Sequence, residues 1–369
     1  SGMKLNVGVD LHKSQFTVYW KLEKSREGKF ARFATTEAGY GTFEHQVLKA
    51  VNQGNDVAVA VETTGNARYF RARMQRLGAR VVVVNSLKFK VITQSVKKTD
   101  RHDASTLAEF LEKDMLPEAV LCSEESEELR RLLKVRKRLV ETIVVIKNQI
   151  HGLLLSVGIE STRGQLQSKK ERRRVQNVLA AHTLTGAAVE PLFETIDRLY
   201  DEVKKLEKII EQKTADDPAV ELLRTIPGVG IITAATLRAW IDDIDRFDRP
   251  EQLAAYSGVV PWVQTSNESV RYGRITKRGP SELRTALVQA VLGMVRMKRT
   301  TGSWRIMTRY DRMKREKGSG RSIIATARLL SEIIWHMLTN NEPFDPIRMT
   351  DSEVRRKARE MRAAAFNAA

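Results

Sequence analysis

Residues 4–113 carry the hydrophobic pattern of a mixed sheet covered by helices. Two β-rich runs flank a polar turn in LNVGVDLHKSQFTVYWKL, residues 5–22, and KFARFATT, residues 29–36, is a candidate for a third strand. Two short apolar runs follow, VAVAVE at 57–62 and ARVVVVN at 79–85, with the helical NARYFRARMQRLG between them. Short uninterrupted apolar runs are typical of buried strands. A hairpin meander followed by strands that alternate with helices predicts an α/β domain.

Two heptad patterns predict long helices in the middle of the chain. Each spaces apolar residues alternately three and four apart, which is the a/d pattern of a coiled coil. The two helices could pair as an antiparallel hairpin within one chain, or either could pair with another chain, and the spacing does not decide. A polar, basic connection, STRGQLQSKKERRRVQN, separates them. The first pattern comprises Leu129, Leu132, Arg136, Leu139, Ile143, Ile146, Ile150, Leu153 and Val157, and the second comprises Leu192, Ile196, Leu199, Val203, Leu206 and Ile210.

A mainly α region is predicted from residue 218 onward. DPAVELLRTIPGVGIITAATLRAWI contains a helix, a Pro-Gly-Val-Gly turn and a second helix, the helix-hairpin-helix pattern of sequence-independent DNA binding. Glycines such as Gly228 and Gly230 permit close backbone approach, and the amides that begin the second helix suit a phosphate. A plain αα-hairpin is the alternative. Helices around 283–297 and 323–338 are expected to complete the region, and 350–369 forms a basic helix or a frayed tail.

A large positive charge indicates a polyanionic partner. The chain of 369 residues has a net charge of +18 and a pI near 10.0. Residues 271–321 hold 15 Lys or Arg against three acids, so this segment alone carries +12. Each phosphate that a protein neutralises releases counterions, so clustered basic residues favour nucleic-acid binding over a basic surface kept for solubility.

Composition also predicts a cytoplasmic protein without a membrane segment. No run approaches 18 consecutive apolar residues and no leader-like segment is seen, while Ser1-Gly2 before Met3 resembles an expression remnant. Cys122 is the only cysteine, which excludes an internal disulfide and a cysteine-based zinc site. A reducing cytoplasm is therefore expected.

Four acidic residues carry the candidate chemistry. Asp10 and Glu62 follow apolar strands, and the carboxyl ends of strands are where ligands bind α/β sheets. Asp100 and Asp103 stand three apart where a helix begins in KKTDRHDASTLAEFL, so they share one helix face. Acids are also common as helix caps and in first turns, which is the alternative for this pair. As a set, the four favour oxygen-ligated Mg²⁺, and two such ions about 4 Å apart can clamp a scissile phosphate.

These segments resemble a known family. GVDLHKSQFTVYW, AVETTGNARYF and KTDRHDASTLAEFL are similar to the DEDD-type, RuvC-like domain of the insertion-sequence 110 family of transposases. Residues 225–287, with AAYSGVVP before RYGRITKRG, are similar to that family's second, transposase domain. The resemblance implies a ribonuclease-H-like fold whose four acids are Asp10, Glu62, Asp100 and Asp103, with Mg²⁺ as cofactor.

The resemblance also implies a serine nucleophile and a guide RNA. Family members are understood as serine recombinases guided by a bridge RNA that pairs with donor and target DNA. Counting back from RYGRITKRG, the matching serine is Ser266. Asn267 and Glu268 stand where the family commonly has glycine, so Ser269 and Thr265 remain alternatives. Without the family, a serine here reads as a turn residue.

The implied architecture has four segments. A RuvC-like catalytic domain is expected at 3–120, a coiled-coil helical region at 121–217, a transposase domain with the serine at 218–345 and a basic tail at 346–369. The implied assembly is a homodimer that forms a tetramer on DNA, in a prokaryotic, nucleoid-associated setting. Nucleic-acid contacts are expected from Gly228, Gly230, Arg271, Arg274, Lys277 and Arg278.

Two other functions fit the same residues. A two-metal, structure-selective nuclease, such as a Holliday-junction resolvase, would use water as the nucleophile and leave Ser266 incidental. A non-catalytic nucleic-acid-binding protein would use the acids only as caps. A covalent protein–DNA adduct distinguishes the recombinase from the nuclease, and Mg²⁺-dependent strand cleavage distinguishes both from the binding protein.

Overall fold

A computed structural model of the chain describes residues 2–93, 99–266, 269–349 and 361, with side chains for all of these except 91, 92 and 262–273. Residues 350–360 and 362–369, most of the predicted basic tail, lie outside the described residues. The chain divides into two compact units, Ser1–Leu121 and Cys122–Ala369. The predicted division into four segments stays a prediction.

The first unit is a five-stranded mixed sheet with helices on both faces, which confirms the predicted α/β architecture. The strand order is β3-β2-β1-β4-β5, with β1, β2 and β3 antiparallel and β1, β4 and β5 parallel. This arrangement is compatible with a RuvC-like domain. The strands are Lys4–Leu11 (β1), Gln15–Leu22 (β2), Lys29–Ala34 (β3), Asp56–Glu62 (β4) and Arg80–Val84 (β5), and the helices are Glu37–Asn52 (α1), Ala67–Gln75 (α2), Ser86–Thr93 (α3) and Asp100–Glu112 (α4).

Alternating residues of the strands pack on opposite faces of this sheet. Val7 and Val9 of β1 pack with Phe43 of α1 and the side chains around it. Ala58 and Ala60 of β4 face the other way, towards α4. Because successive strand residues point to opposite faces, the period-two pattern of β1 and β4 gives each helix layer its own apolar surface.

The second unit is mainly helical, with one β-hairpin. Its helices are Glu124–Ser156 (α5), Lys169–Ala181 (α6), Gly186–Lys213 (α7), Pro218–Arg224 (α8), Ile231–Ile241 (α9), Pro250–Tyr256 (α10), Ser281–Arg296 (α11), Lys298–Thr301 (α12), Arg305–Lys317 (α13) and Ser319–Asn340 (α14), and its strands are Pro261–Ser266 (β6) and Ser269–Ile275 (β7). A large core joins α5 to α8, α9, α11, α13 and α14.

The two long helices α5 and α7 run antiparallel within one chain. Arg136 of α5 pairs with Glu207 of α7, Nη2 to Oε1 at 2.6 Å, and Lys147 farther along α5 donates to the hydroxyl of Tyr200, nearer the start of α7, at 2.6 Å. The buried face of α5 drifts from the predicted heptad positions, as expected where a straight 3.6-residue helix replaces a strict 3.5-residue repeat. Its apolar members are Leu129, Leu133, Ile143, Ile146, Ile150 and Leu154. Supercoiling of the pair stays a prediction.

The basic connection between these helices also folds. It contains α6, whose Val175 and Leu179 are buried against α7. Arg172 is buried among them and pairs with Asp197 of α7. A cation in a buried position is tolerated when it is paired. The Arg-rich segment therefore forms an amphipathic helix rather than a polar connection.

One described helix, α5, is long and apolar enough to cross a membrane by length and composition alone. Such a helix by itself is weak support for a membrane span, because core helices pass the same test. Some apolar residues of α5, among them Leu129, Leu133 and Ile150, are buried within the second unit, whereas Val144, Val145 and Leu155 are exposed.

Candidate active site

The first turn of α4 carries two of the four predicted acids. Thr99 is the N-cap, and its side chain accepts a hydrogen bond from the amide of His102 at 3.2 Å. Neither Asp100 nor Asp103 is therefore needed as the cap. Both still lie in the first turn, where the helix dipole favours negative charge.

The far end of α4 is fixed to the sheet. Glu112 forms an ion pair with Lys21 of β2 and accepts a hydrogen bond from the amide of Lys24 at 2.7 Å. The Lys21 hydrogen bond, and then the Lys24 amide, lower the pKa of Glu112. This pairing sets the position of α4 along the strands, and so the position of the acids at its start.

One row of residues crosses the sheet on the face that α4 covers. Thr17 of β2 lies opposite Asp10 of β1, and Arg32 of β3 lies opposite Thr17. Directly opposite residues project to the same side of a sheet. The parallel ladder of β1 and β4 ends one residue before Asp10 and Glu62, so these two acids occupy matching positions on neighbouring strands. The sequence predicted Asp10 as the end of its strand, whereas β1 continues for one more residue, to Leu11.

Three side chains meet at this end of the sheet. The donor atoms of Asp10, His12 and Asp100 all lie within 4.8 Å of one another. His12 Nε2 is 2.9 Å from Asp10 Oδ2 and 3.6 Å from Asp100 Oδ1. Arg32 Nη2 lies 3.8 Å from Asp100 Oδ2. Two predicted ligands from different elements, β1 and α4, are thus brought together.

The electrostatics of the cluster favour a cation. Burial raises the pKa of Asp10, whose side chain is 17% exposed, and the charges of Asp100 and Asp103 raise it further. The charge and hydrogen bond of His12 lower it, but less than burial raises it. Like charges at short range disfavour ionisation, and a bound cation would remove that cost. Asp103, in the first turn of α4, and Glu62, at the end of β4, are half-buried. Among the described residues, neither belongs to the group formed by Asp10, His12 and Asp100.

The predicted nucleophile lies on the hairpin of the second unit. Ser266 is the last residue of β6 and pairs with Ser269, the first of β7, while Thr265 pairs with Val270. Asn267 and Glu268, between the strands, lie outside the described residues, as do the side chains of 262–273, including Arg271. The hairpin replaces the turn that the sequence alone suggested for Ser266.

The glycine turn between α8 and α9 has a packing role. Gly228 has φ +84°, and its Cα lies against the backbone of Gly293 in α11, so a Cβ there would meet Gly293 Cα at 2.7 Å. The close approach that Gly228 permits is therefore to another helix. Gly230, the N-cap of α9, has open space where a Cβ would be. A phosphate contact at this turn stays a prediction.

A basic groove runs beside the base of the hairpin. It encloses about 970 Å³ between the end of β7, α13 and α14. Its floor includes apolar side chains such as Met313 and Ile324. Its cationic lining comprises Arg274, Lys277, Arg309, Lys317, Arg321 and Arg328.

Most of this charge is not neutralised by the protein. Arg328 pairs with Glu332 at 3.3 Å, and Glu332 is the one acid in the lining. The other five cations form no ion pair with any residue in the described part of the chain. The term basic groove denotes the cleft lined by Arg274, Lys277, Arg309, Lys317, Arg321 and Arg328. The predicted contacts Arg274 and Lys277 belong to it, whereas Arg278 is exposed outside its lining.

Comparison with known proteins decides the family. Residues 220–306 match the family model described as "Transposase IS116/IS110/IS902 family", and residues 7–159 match DEDD_Tnp_IS110, described as "Transposase". The chain belongs to the IS110/IS116 family of transposases. The two matches fall in the order that the motifs predicted, the acids first and the hairpin second.

Two relatives of this transposase span almost its whole length, and a third spans less of it. The transposase for insertion sequence element IS1111A of Coxiella burnetii is 28% identical over 354 residues, which cover 92% of this chain and 90% of the relative. The transposase for IS1328 of Yersinia enterocolitica is 26% identical over 343 residues, which cover 92% of this chain and 98% of the relative. The pilin gene-inverting protein of Moraxella bovis is 26% identical over 272 residues, which cover 72% of this chain and 74% of the relative.

Family membership implies that the transposase cleaves and rejoins DNA. One residue at its acid cluster, His12, was missed at the level of sequence. A signal for it was present, because His12 follows the candidate ligand Asp10 by two residues, and residues two apart share a face while the chain is extended. Thr17 and Arg32 carried no such signal, since cross-strand register is not visible in the sequence.

Proposed function

We propose that this transposase exchanges DNA strands at a divalent-metal site formed by Asp10, Glu62, Asp100 and Asp103, with Ser266 as nucleophile and an RNA as guide. The observation that carries the proposal is the meeting of Asp10 and Asp100, from a strand and from a helix start, with donor atoms within 4.8 Å. Glu62 stands beside Asp10 on the neighbouring strand and Asp103 one turn beyond Asp100.

The donor set fits a hard divalent cation. Carboxylate oxygens are the ligands that Mg²⁺ prefers, and a few carboxylates with water complete its shell. A bound cation supplies charge stabilisation to phosphate oxygens and lowers the pKa of an oxygen that it touches. Asp10 of β1 and Asp100 of α4 would hold the cation. Arg32 of β3, 3.8 Å from Asp100, adds positive charge beside it.

Ser266 is proposed to attack the phosphorus of the scissile phosphodiester. The Oγ–P bond forms, one P–O ester bond breaks, and the leaving strand end takes up the proton that the serine loses. The reverse step, with the hydroxyl of a different strand end, restores a phosphodiester and frees Ser266. Because one ester replaces another at each step, no external energy source is consumed. A serine hydroxyl is a weak nucleophile at neutral pH and needs a base or a metal for this attack.

The basic groove is proposed to hold nucleic-acid backbone next to the hairpin that carries Ser266. Arg274 belongs to β7 itself, eight residues after Ser266, and Lys277 follows that strand. Phosphate contacts of this kind position a nucleic acid without reading its sequence. Sequence choice would come from base pairing of a bridge RNA with donor and target DNA, as in other RNA-guided systems.

Rejoining, rather than cleavage alone, is favoured by a relative. The Moraxella bovis protein is named for inverting a pilin gene, and an inversion requires every cut strand to be joined again. A covalent serine intermediate would meet the same requirement for rejoining in this transposase. The proposed assembly is a dimer that forms a tetramer on DNA. A nuclease that uses water would leave free ends.

Neutral substitutions of the acids test the metal site. Asp10→Asn, Glu62→Gln, Asp100→Asn and Asp103→Asn should each abolish or greatly reduce strand exchange while RNA and DNA binding persist. Asp56→Asn is the matched control, because Asp56 is an exposed acid at the opposite end of β4. Strand exchange that survives Asp10→Asn or Asp100→Asn at the control's level would rule out the proposed site.

A further inference from the structure

His12 is held at the acid cluster by its own backbone. Its amide donates to the carbonyl of Gln15 at 2.9 Å, and its carbonyl accepts from Asn66 Nδ2 at 3.3 Å. These two bonds fix the turn after β1 from which the imidazole reaches Asp10 and Asp100. The side chain is 50% exposed, so the ring forms one wall of the site and remains open to solvent.

His12 Nε2 forms a hydrogen bond with Asp10 Oδ2 at 2.9 Å, and the distances in the cluster also suit ligands that share an ion. Two donors that each lie about 2.1 Å from a metal are about 3.0 Å apart at a right angle, and somewhat farther apart at wider angles. His12 Nε2 lies 2.9 Å from the oxygen of Asp10 and 3.6 Å from the oxygen of Asp100. Both separations suit neighbouring positions in one coordination shell.

A second observation points to a ligand at the same place. Thr17 is 2% exposed, and its hydroxyl is buried with no hydrogen-bond partner in the described structure. It lies directly opposite Asp10, so its side chain projects to the face that carries the cluster. Buried hydroxyls are normally hydrogen-bonded. A water bound to a cation beside Asp10 would satisfy this one.

We propose that His12 is itself a ligand of the metal held by Asp10 and Asp100, so that this transposase binds Mn²⁺ and similar transition-metal ions in preference to Mg²⁺. The inference rests on the proposed metal site and adds a nitrogen ligand to its four acids. Imidazole suits transition metals, whereas Mg²⁺ takes oxygen ligands and keeps its waters. In that arrangement the Thr17 hydroxyl would donate or accept a hydrogen bond with a water on the metal.

Metal binding by the full chain tests this without strand exchange. MnCl₂ and MgCl₂ are titrated separately into the protein, and the Mn²⁺ complex is studied by pulsed electron paramagnetic resonance. We expect modulation from a coordinated imidazole nitrogen and Mn²⁺ affinity about tenfold or more above that for Mg²⁺. His12→Asn should remove the nitrogen signal and most of the preference, while Mg²⁺ affinity changes much less.

His45→Asn is the matched control, because His45 is an exposed histidine of α1 in the same unit. It should leave both the signal and the preference unchanged. Thr17→Val removes the hydroxyl at nearly constant shape and should weaken Mn²⁺ binding while keeping the nitrogen signal. Circular dichroism of the metal-free variants confirms that each is folded.

The outcomes separate this inference from the function on which it rests. If Asp10→Asn leaves Mn²⁺ and Mg²⁺ binding intact, the acids do not form the site and both fail. If Asp10→Asn abolishes binding but the bound Mn²⁺ of the parent shows no nitrogen signal, His12 is only a hydrogen-bonding partner of the acids. His12 is likewise excluded as a ligand if His12→Asn binds both ions as tightly as the parent does.

Discussion

Gly8 of β1 lies directly against Ala104 of α4. A Cβ at Gly8 would overlap the carbonyl oxygen of Ala104 and would come within 2.7 Å of the amide nitrogen of Ala108. Only a residue without a side chain allows the helix to approach the strand this closely. The contact lies two residues before Asp10 and one turn after Asp100, so it sets the distance between the two halves of the acid cluster.

Gly8→Ala should therefore damage both stability and metal binding. The added methyl group forces α4 away from the sheet, and overpacking of this kind costs about 1–3 kcal/mol. Urea unfolding measures the loss of stability, and Mn²⁺ titration measures the metal affinity, which should fall if Asp10 and Asp100 move apart. Gly41→Ala is the control, because Gly41 lies within α1 with no atom near an added Cβ. There, alanine should stabilise the helix by up to about 1 kcal/mol. Equal behaviour of the two variants would show that α4 does not depend on this contact.

Removing cations from the basic groove should weaken nucleic-acid binding in a salt-dependent way. Arg309→Ala with Arg321→Ala leaves the fold intact, since both residues are exposed. The plot of log affinity against log salt should become shallower by about one to two units, because fewer counterions are released. Lys204→Ala with Lys208→Ala, exposed cations of α7, provides the control for net charge. A slope that falls equally in both double mutants would place the nucleic acid elsewhere.

Asp242 at the end of α9 should make the second unit sensitive to acid. It accepts hydrogen bonds from the hydroxyls of Ser123 and Ser126 at 2.7 and 2.6 Å, which ties the start of α5 to α9. Burial would raise the pKa of Asp242, but these hydrogen bonds and the charge of Arg238 outweigh it and hold the pKa below its usual 3.8. A lowered pKa stabilises the fold above the unfolded value and loses that effect as pH falls through the folded value.

We expect Asp242→Asn to cost about 2 kcal/mol at pH 7, since hydrogen bonds to a charged group contribute about 1.5–3 kcal/mol. Asparagine also tolerates the positive φ of 61° at this position, so backbone strain is not the cause. The difference from the parent should shrink as the pH falls below 3.8. Urea unfolding at pH 7 and pH 3 measures it, with exposed Asp216→Asn as the control. A penalty that persists unchanged at pH 3 would mean that the charge of Asp242 is not responsible.

Local patterns in the sequence predicted much of the first unit. Short apolar runs placed β4 and β5 correctly, and the predicted helix start at Asp100 is the first residue of α4. The opposition of Thr17 and Asp10 was not predictable, because register across antiparallel strands depends on the turn that joins them. The Gly8–Ala104 contact was invisible for the same reason, since it joins residues nearly a hundred positions apart.

The second unit was harder to predict because polar residues there take structural roles. Arg172 made α6 look like a basic connection, although its pairing with Asp197 allows it to be buried. The heptad spacing of α5 predicted a long helix correctly but assigned Leu132 and Leu153 to a seam where Leu133 and Leu154 are the more buried. The hairpin of β6 and β7 was not predicted, because its two strands are short and rich in polar residues.

The proposed serine chemistry is tested most directly by locating the covalent link between protein and DNA. The full chain is incubated with Mg²⁺ or Mn²⁺, with RNA transcribed from the flank of its element, and with donor DNA nicked so that rejoining fails. Proteolysis and mass spectrometry then identify the peptide that carries a nucleotide. An adduct on Ser269 or Thr265 would move the nucleophile within the hairpin.

We expect the nucleotide on Ser266, and we expect Ser266→Ala to give neither adduct nor recombinant product while RNA and DNA binding persist. Metal-dependent cleavage by Ser266→Ala, with free DNA ends and no adduct, would contradict the serine recombinase and establish a nuclease that uses water.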